Sequence, residues 1–193
     1  MAHPGRPRNC DPRVKSLWSE IEYKQNDKVI TTLKEVGVDC PDGEARTALL
    51  NACLYQNFDI VNWTLNNGAD INYQDRIGYT ALHFAAEKNS DELTRYLLDK
   101  GANPNLQDMH GNIPLWTAMF SSKLVVSDTI KLLLKHKSDY NLTNNYGRTP
   151  KLMFETFYGG DISQLTVGLA IAGPTCISSA FVRYSSQFRL KNL

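Results

Sequence analysis

No stretch of the sequence is an unbroken apolar run long enough to cross a bilayer, which takes about 18 residues or more. The most apolar tail segment, LTVGLAIAGPT (165–175), is broken by Gly173 and Pro174. The start, MAHPGRPRNC, has charge with no apolar region behind it, so no secretory signal is expected there. Cysteine is sparse: Cys10, Cys40, Cys53 and Cys176 are widely spread and form no CxxC pair. A metal site needs several soft ligands around one ion, so none is expected, and the thiols read as free in a reducing cytoplasm. Charge of one sign is also missing, with 21 Lys and Arg against 20 Asp and Glu for a net +1. That balance removes the simplest argument for a nucleic-acid binder. No GxSxG, HExxH or phosphate-cradling glycine loop occurs.

The 193 residues are 42% hydrophobic, enough for one domain with a core. Charge is unevenly placed. Residues 1–15 and 180–193 each sum to +3, which leaves the body, 16–182, at −5. The basic ends do not form a basic face interleaved with aromatics, so neither nucleic acid nor membrane is an expected partner.

The main feature is a repeat. GYTALHFAA (78–86) returns as GNIPLWTAM (111–119) at an offset of 33, and ARTALLNAC (45–53) lies 33 residues earlier. YGRTPKLMF (146–154) restarts the pattern after 36 residues. NNGADINYQD (66–75), DKGANPNLQD (99–108) and KHKSDYNLTN (135–144) are one phrase three times, with a fainter KEVGVDCPD (34–42) before them. In each unit a Thr can cap a first helix, followed by a short run such as Leu82, Ala85 and Ala86. After Lys88-Asn89-Ser90-Asp91 a second helix places Leu93, Tyr96, Leu97 and Leu98 at helical spacing. Gly68 and Gly101 suit left-handed helix ends. Such a pair has apolar sides toward both neighbours, so the units must stack.

On these phrases, TALHFAA, the GADIN and GANPN loops and the Gly that opens each unit, the chain resembles the ankyrin-repeat family over roughly residues 25–160. The resemblance implies an all-α solenoid of stacked helix-turn-helix units with short hairpin-like connecting loops. The expected units are a basic N-terminus (1–11), a capping helix pair (12–41), repeats at 42–74 and 75–107, and a repeat with a three-residue insertion (108–143). A degenerate capping repeat (144–172) and a tail (173–193) follow. In the degenerate unit Lys151 stands where Leu82 or Leu115 stands earlier, so Leu152, Met153, Phe154 and Phe157 are expected to supply the packing. A last helix is expected from Gly159-Gly160-Asp161 to about Ala172. The insertion falls in SSKLVVSD (121–128), either as a tolerated loop extension or as a modifier of the binding side.

The family binds other proteins through its turn tips and inner helix face. Carried over by position, the tips are Glu44 and Arg46; Arg76, Ile77 and Tyr79; Met109, His110 and Asn112; and Asn145, Tyr146 and Arg148. The inner-helix ends are Leu54 and Tyr55, Glu87 and Lys88, and Phe120 and Ser121. Tyr, Phe, Met and Arg are enriched at interface centres. Phe120 and the tyrosines can instead tuck between repeats, and Trp116, in place of the TALH histidine, reads as inter-repeat packing. His83 reads as a structural partner of Thr80 rather than a base. The expected function is therefore a non-catalytic protein-binding module, a monomer by itself, with no cofactor.

Two alternatives stay open. The unit DMHGNIPLWTAMFSSK with IKLLLKHKSDYNLTNNYGRTP resembles small stand-alone bacterial ankyrin proteins, some of which are immunity proteins. That resemblance implies occlusion of a toxin or enzyme with a basic surface. Alternatively Cys176, Ser178, Ser179 or Tyr184 of the tail serves an enzyme or enzyme accessory, with a base borrowed from the repeats.

Overall fold

The computed structural model describes residues 10–122 and 125–166. The basic N-terminus before Cys10, the tail 173–193 with Cys176, the end of the expected last helix (167–172) and part of the insertion lie outside the described residues.

A short 3-10 turn (Pro12–Val14) precedes the helices α1 (Leu17–Glu22), α2 (Asn26–Val36), α3 (Ala48–Leu54), α4 (Phe58–Asn66) and α5 (Ala81–Glu87). They continue as α6 (Asp91–Asp99), α7 (Pro114–Ser121), α8 (Asp128–Lys135), α9 (Pro150–Tyr158) and α10 (Ser163–Thr166), with no strand among the described residues. Odd-numbered helices α1 to α9 pack on one another as an inner row, α2, α4, α6 and α8 form an outer row, and α10 packs on α8. The solenoid expectation is met.

The repeated positions are the core. Leu49, Leu82 and Leu115 are buried at the same place in successive inner helices, and Ile60, Leu93 and Ile130 in successive outer ones. Alanines 52, 85 and 118 let the inner helices approach closely. Each outer helix starts on a side-chain cap: Asn57, Ser90 and Ser127 accept from the N–H three residues on. The cap pair buries Leu17, Ile21, Val29 and Leu33, and Asn57 ties it to the first repeat by donating to the Ile21 carbonyl (2.9 Å) and to Asn26 Oδ1 (2.8 Å).

Thr80 and Thr149 cap their helices as expected, accepting from His83 N and Leu152 N. Thr47 does not, and its buried hydroxyl has no partner. His83 fits its structural role: Nδ1 lies 2.9 Å from Thr80 Oγ1, and Nε2 lies 3.2 Å from the Asn112 carbonyl of the next tip. Burial lowers its pKa to about 4, so the imidazole is neutral near pH 7.

The degenerate unit packs differently from expectation at one position. Met153 and Phe154 are buried, but Leu152 is 51% exposed. Leu152 occupies the His83 position, which in its own repeat reaches forward to the following tip. Beyond α9 no further tip lies among the described residues, so that position faces outward. The insertion lengthens the turn between α7 and α8, where α5 and α6 are joined by Lys88-Asn89-Ser90 alone.

Candidate functional site

Each tip is a turn closed on one carboxylate or amide. Asp42 Oδ1 accepts from Glu44 N and Arg46 N; Asp75 Oδ1 accepts from Ile77 N and Tyr79 N. Asp108 Oδ1 accepts from His110 N and Asn112 N, and Asn144 Oδ1 from Tyr146 N and Arg148 N. Backbone bonds across the turn complete the hairpin, as in Asp75 N to the Tyr79 carbonyl and Asp108 N to the Asn112 carbonyl.

The tips are also laced together. Met109 N donates to the Ile77 carbonyl at 2.8 Å, and Asn145 N to the His110 carbonyl at 2.9 Å. The Gln74 amide donates to the Gly78 and Gln107 carbonyls, and the Gln107 amide to those of Gly111 and Thr143. At Gly111 a Cβ would stand 2.7 Å from Asn145 N, and φ is +77°, so this close stacking requires glycine. A row of tips held this way is rigid, and a rigid surface loses little entropy on binding.

The expected site residues divide into two groups. One group is tied into the fold. Arg46 donates from Nε to Asp75 Oδ2 at 3.3 Å and lies over the Phe84 ring, 5.2 Å from its centre. Arg76 pairs with Glu44 at 3.0 Å across neighbouring tips and donates to the Gly43 carbonyl. Tyr55 is half-buried and stacks on Trp18 at 6.4 Å. Tyr79 is half-buried, stacked on His83 at 5.0 Å with its edge toward Phe84 at 5.3 Å. Burial raises the Tyr79 phenol above its ordinary pKa, and the charges of Glu87 and then Asp108 add to the rise.

The other group is open to solvent. Ile77 is 38%, Met109 50%, Phe120 62% and Tyr146 68% exposed. Glu87, Lys88, His110, Asn145 and Arg148 are exposed as well, with Asn112, Ser121 and Leu54 partly so. The rings of His110 and Tyr146 stack at 6.2 Å, joining the last two tips. Phe120 points outward with Trp116 beside it, ring centres 5.8 Å apart.

Between the second and third tips and α7 lies a depression of about 300 Å³. Tyr79 and Thr117 line it with the aromatic pair Trp116 and Phe120. Glu87 and Asp108 bring acid groups to it, and His110, Asn112 and Ser121 complete its rim. Trp116 was absent from the expected site. It packs against the core and lines this depression at once, and its signal was the replacement of the TALH histidine by a large ring.

Among the described residues no group of three or more His, Cys, Asp or Glu is placed to hold a metal ion. None of the described helices is long and apolar enough to cross a membrane. Burial pushes the thiols of Cys10, Cys40 and, most strongly, Cys53 above their ordinary pKa. Those three are free thiols held in the protonated, weakly nucleophilic form.

Comparison with known proteins adds the family. The family model described as ankyrin repeats (3 copies) matches residues 18–108. An E3 ubiquitin-protein ligase of Arabidopsis thaliana is 39% identical over 90 residues, 46% of this chain and 5% of the relative. An ankyrin repeat protein of fowlpox virus is 34% identical over 122 residues, 61% of this chain and 35% of the relative. An L-asparaginase of Dirofilaria immitis is 34% identical over 125 residues, 63% of this chain and 20% of the relative. The chain thus spans between 5% and 35% of the length of these curated relatives.

Proposed function

The chain carries ankyrin repeats, which are protein-interaction modules, and from that premise we propose that it binds a partner protein through its tips and the exposed ends of its inner helices. The observation that carries this reading is the apolar row Ile77, Met109, Phe120 and Tyr146, exposed on neighbouring tips and on α7. Exposed apolar groups in a contiguous patch mark interaction surfaces in folded proteins. The tip lacing supports it, because the backbone beneath these side chains is fixed before a partner arrives. The four differ in shape and polarity while the residues beneath them repeat, which is how a common scaffold comes to recognise a particular surface.

The role is binding rather than catalysis. The two relatives named as enzymes are matched over 5% and 20% of their own length. Buried His83 is committed to Thr80 and the Asn112 carbonyl, and exposed His110 stacks on Tyr146.

The test is affinity capture by the full chain and by a triple variant, Ile77→Ser, Met109→Ser and Tyr146→Ser, compared band by band. The variant is expected to melt with the parent chain and to lose the captured partner. Equal capture by a folded variant contradicts the assignment.

A further inference from the structure

Three successive inter-tip pairs occupy the same place in the stack and are filled in three ways. Between the first two tips, the Arg46 guanidinium meets Asp75 Oδ2 at 3.3 Å and lies over Phe84. Between the last two, Asn144 Nδ2 donates to Asn112 Oδ1 at 2.9 Å. The middle pair is Tyr79 with Asp108, 33 residues after Arg46 and Asp75. The Tyr79 ring packs on its own repeat, stacked on His83 and edge-on to Phe84, with its hydroxyl toward Thr117 of the next. Asp108 uses Oδ1 for its turn, and among the described residues no ion pair reaches it.

The aromatic position changes in step. Phe84, under the Arg46 guanidinium, becomes Thr117 one repeat on. Tyr79 and Thr117, which stand in place of Arg46 and Phe84, both line the depression at this level. Asp108 is only 6% exposed yet lines that depression, with Glu87 on its wall and the rings of Trp116 and Phe120 beside it. Two backbone N–H groups hold Oδ1, and a cation at the other oxygen would complete the pairing of this buried carboxylate.

We infer that the depression binds an arginine side chain of the partner protein, its guanidinium paired with Asp108 and flanked by Trp116 and Phe120. This deepens the proposed protein-binding function and rests on it. The chain's own Arg46–Asp75–Phe84 cluster is the pattern for the missing contact. A guanidinium suits it better than an ammonium, since it is planar, stacks on rings and presents two donors to one carboxylate. The acidic body, at −5, favours a basic partner at longer range.

The test titrates the full ¹⁵N-labelled chain with acetyl-Gly-Arg-Gly-amide, and with its lysine and citrulline counterparts, following amide and indole resonances. Asp108→Asn keeps the turn, since Asn144 performs the same task in the next tip, and removes only the charge. Tyr79→Arg supplies an internal cation in place of the ligand. The arginine peptide is expected to shift the Trp116 indole N–H and the His110 and Asn112 amides. Asp108→Asn weakens that binding about tenfold, as for loss of one charge-assisted bond, and Tyr79→Arg abolishes it. Equal binding of the citrulline or lysine peptide, no shift with the arginine peptide, or an unaffected Asp108→Asn variant overturns the inference. Capture of a partner that depends on Ile77, Met109 and Tyr146 would then still stand, so the two readings fail separately.

Discussion

His83 shows how one buried side chain sets a pH response. Burial holds its pKa near 4 in the folded chain, below the ordinary 6.5. The folded state therefore takes up a proton less readily than the unfolded one. His83's contribution is fully present above pH 6.5 and is lost as pH falls toward 4, by about 3 kcal/mol. Urea unfolding at pH 7 and pH 4 checks this: His83→Gln should flatten the loss, and an equal loss in that variant assigns it elsewhere. Two other residues break the repeat's own rules. Lys137 stands at φ +65°, where Gly68 and Gly101 stand in earlier repeats. Lys137→Gly should stabilise the chain by roughly 0.5–1 kcal/mol, read by chemical denaturation. Ser138 replaces the buried Ala102, and its hydroxyl finds no partner. Ser138→Ala should add about 1 kcal/mol.

At the scale of elements, what repeats in sequence repeats in space. The helix pairs and their buried leucines follow from the 33-residue period, because a helix pair with two apolar sides has one way to hide them. The departures arise where a residue depends on a neighbour rather than on its own unit. Leu152 is exposed because the tip that would face it is absent among the described residues, and Thr47 leaves its cap bond unmade although its motif matches that of Thr80. The candidate surface was legible at Ile77, Met109 and Tyr146, because tips carry no burial duty. It was less legible at Arg46, which reaches Asp75 of the next tip, and at Tyr79, which stacks on His83 and sets its hydroxyl toward Thr117 of the next repeat. The join between cap and first repeat depends on Asn57, which caps α4 and bonds the Ile21 carbonyl. Asn57→Ala should cost about 2 kcal/mol and expose the cap pair first, measurable as early amide exchange in α1 and α2. Protection there equal to the parent's would place the join elsewhere.

For the whole molecule, the residues that hold the stack differ from those of the proposed binding surface. Leucines and alanines in register are buried in the stack, and the tip and α7 side chains of the proposed surface are exposed. Surface changes away from the core usually stay within about 0.5 kcal/mol, so the Ile77, Met109 and Tyr146 triple variant should keep a cooperative melt close to the parent's. Hydrogen exchange of the full chain, free and bound to its captured partner, tests the central claim most directly. Added protection is expected at the tips around residues 76–79, 109–112 and 145–148 and at the end of α7. Protection confined to the outer helices α4, α6 and α8, with the tips unchanged, would contradict it.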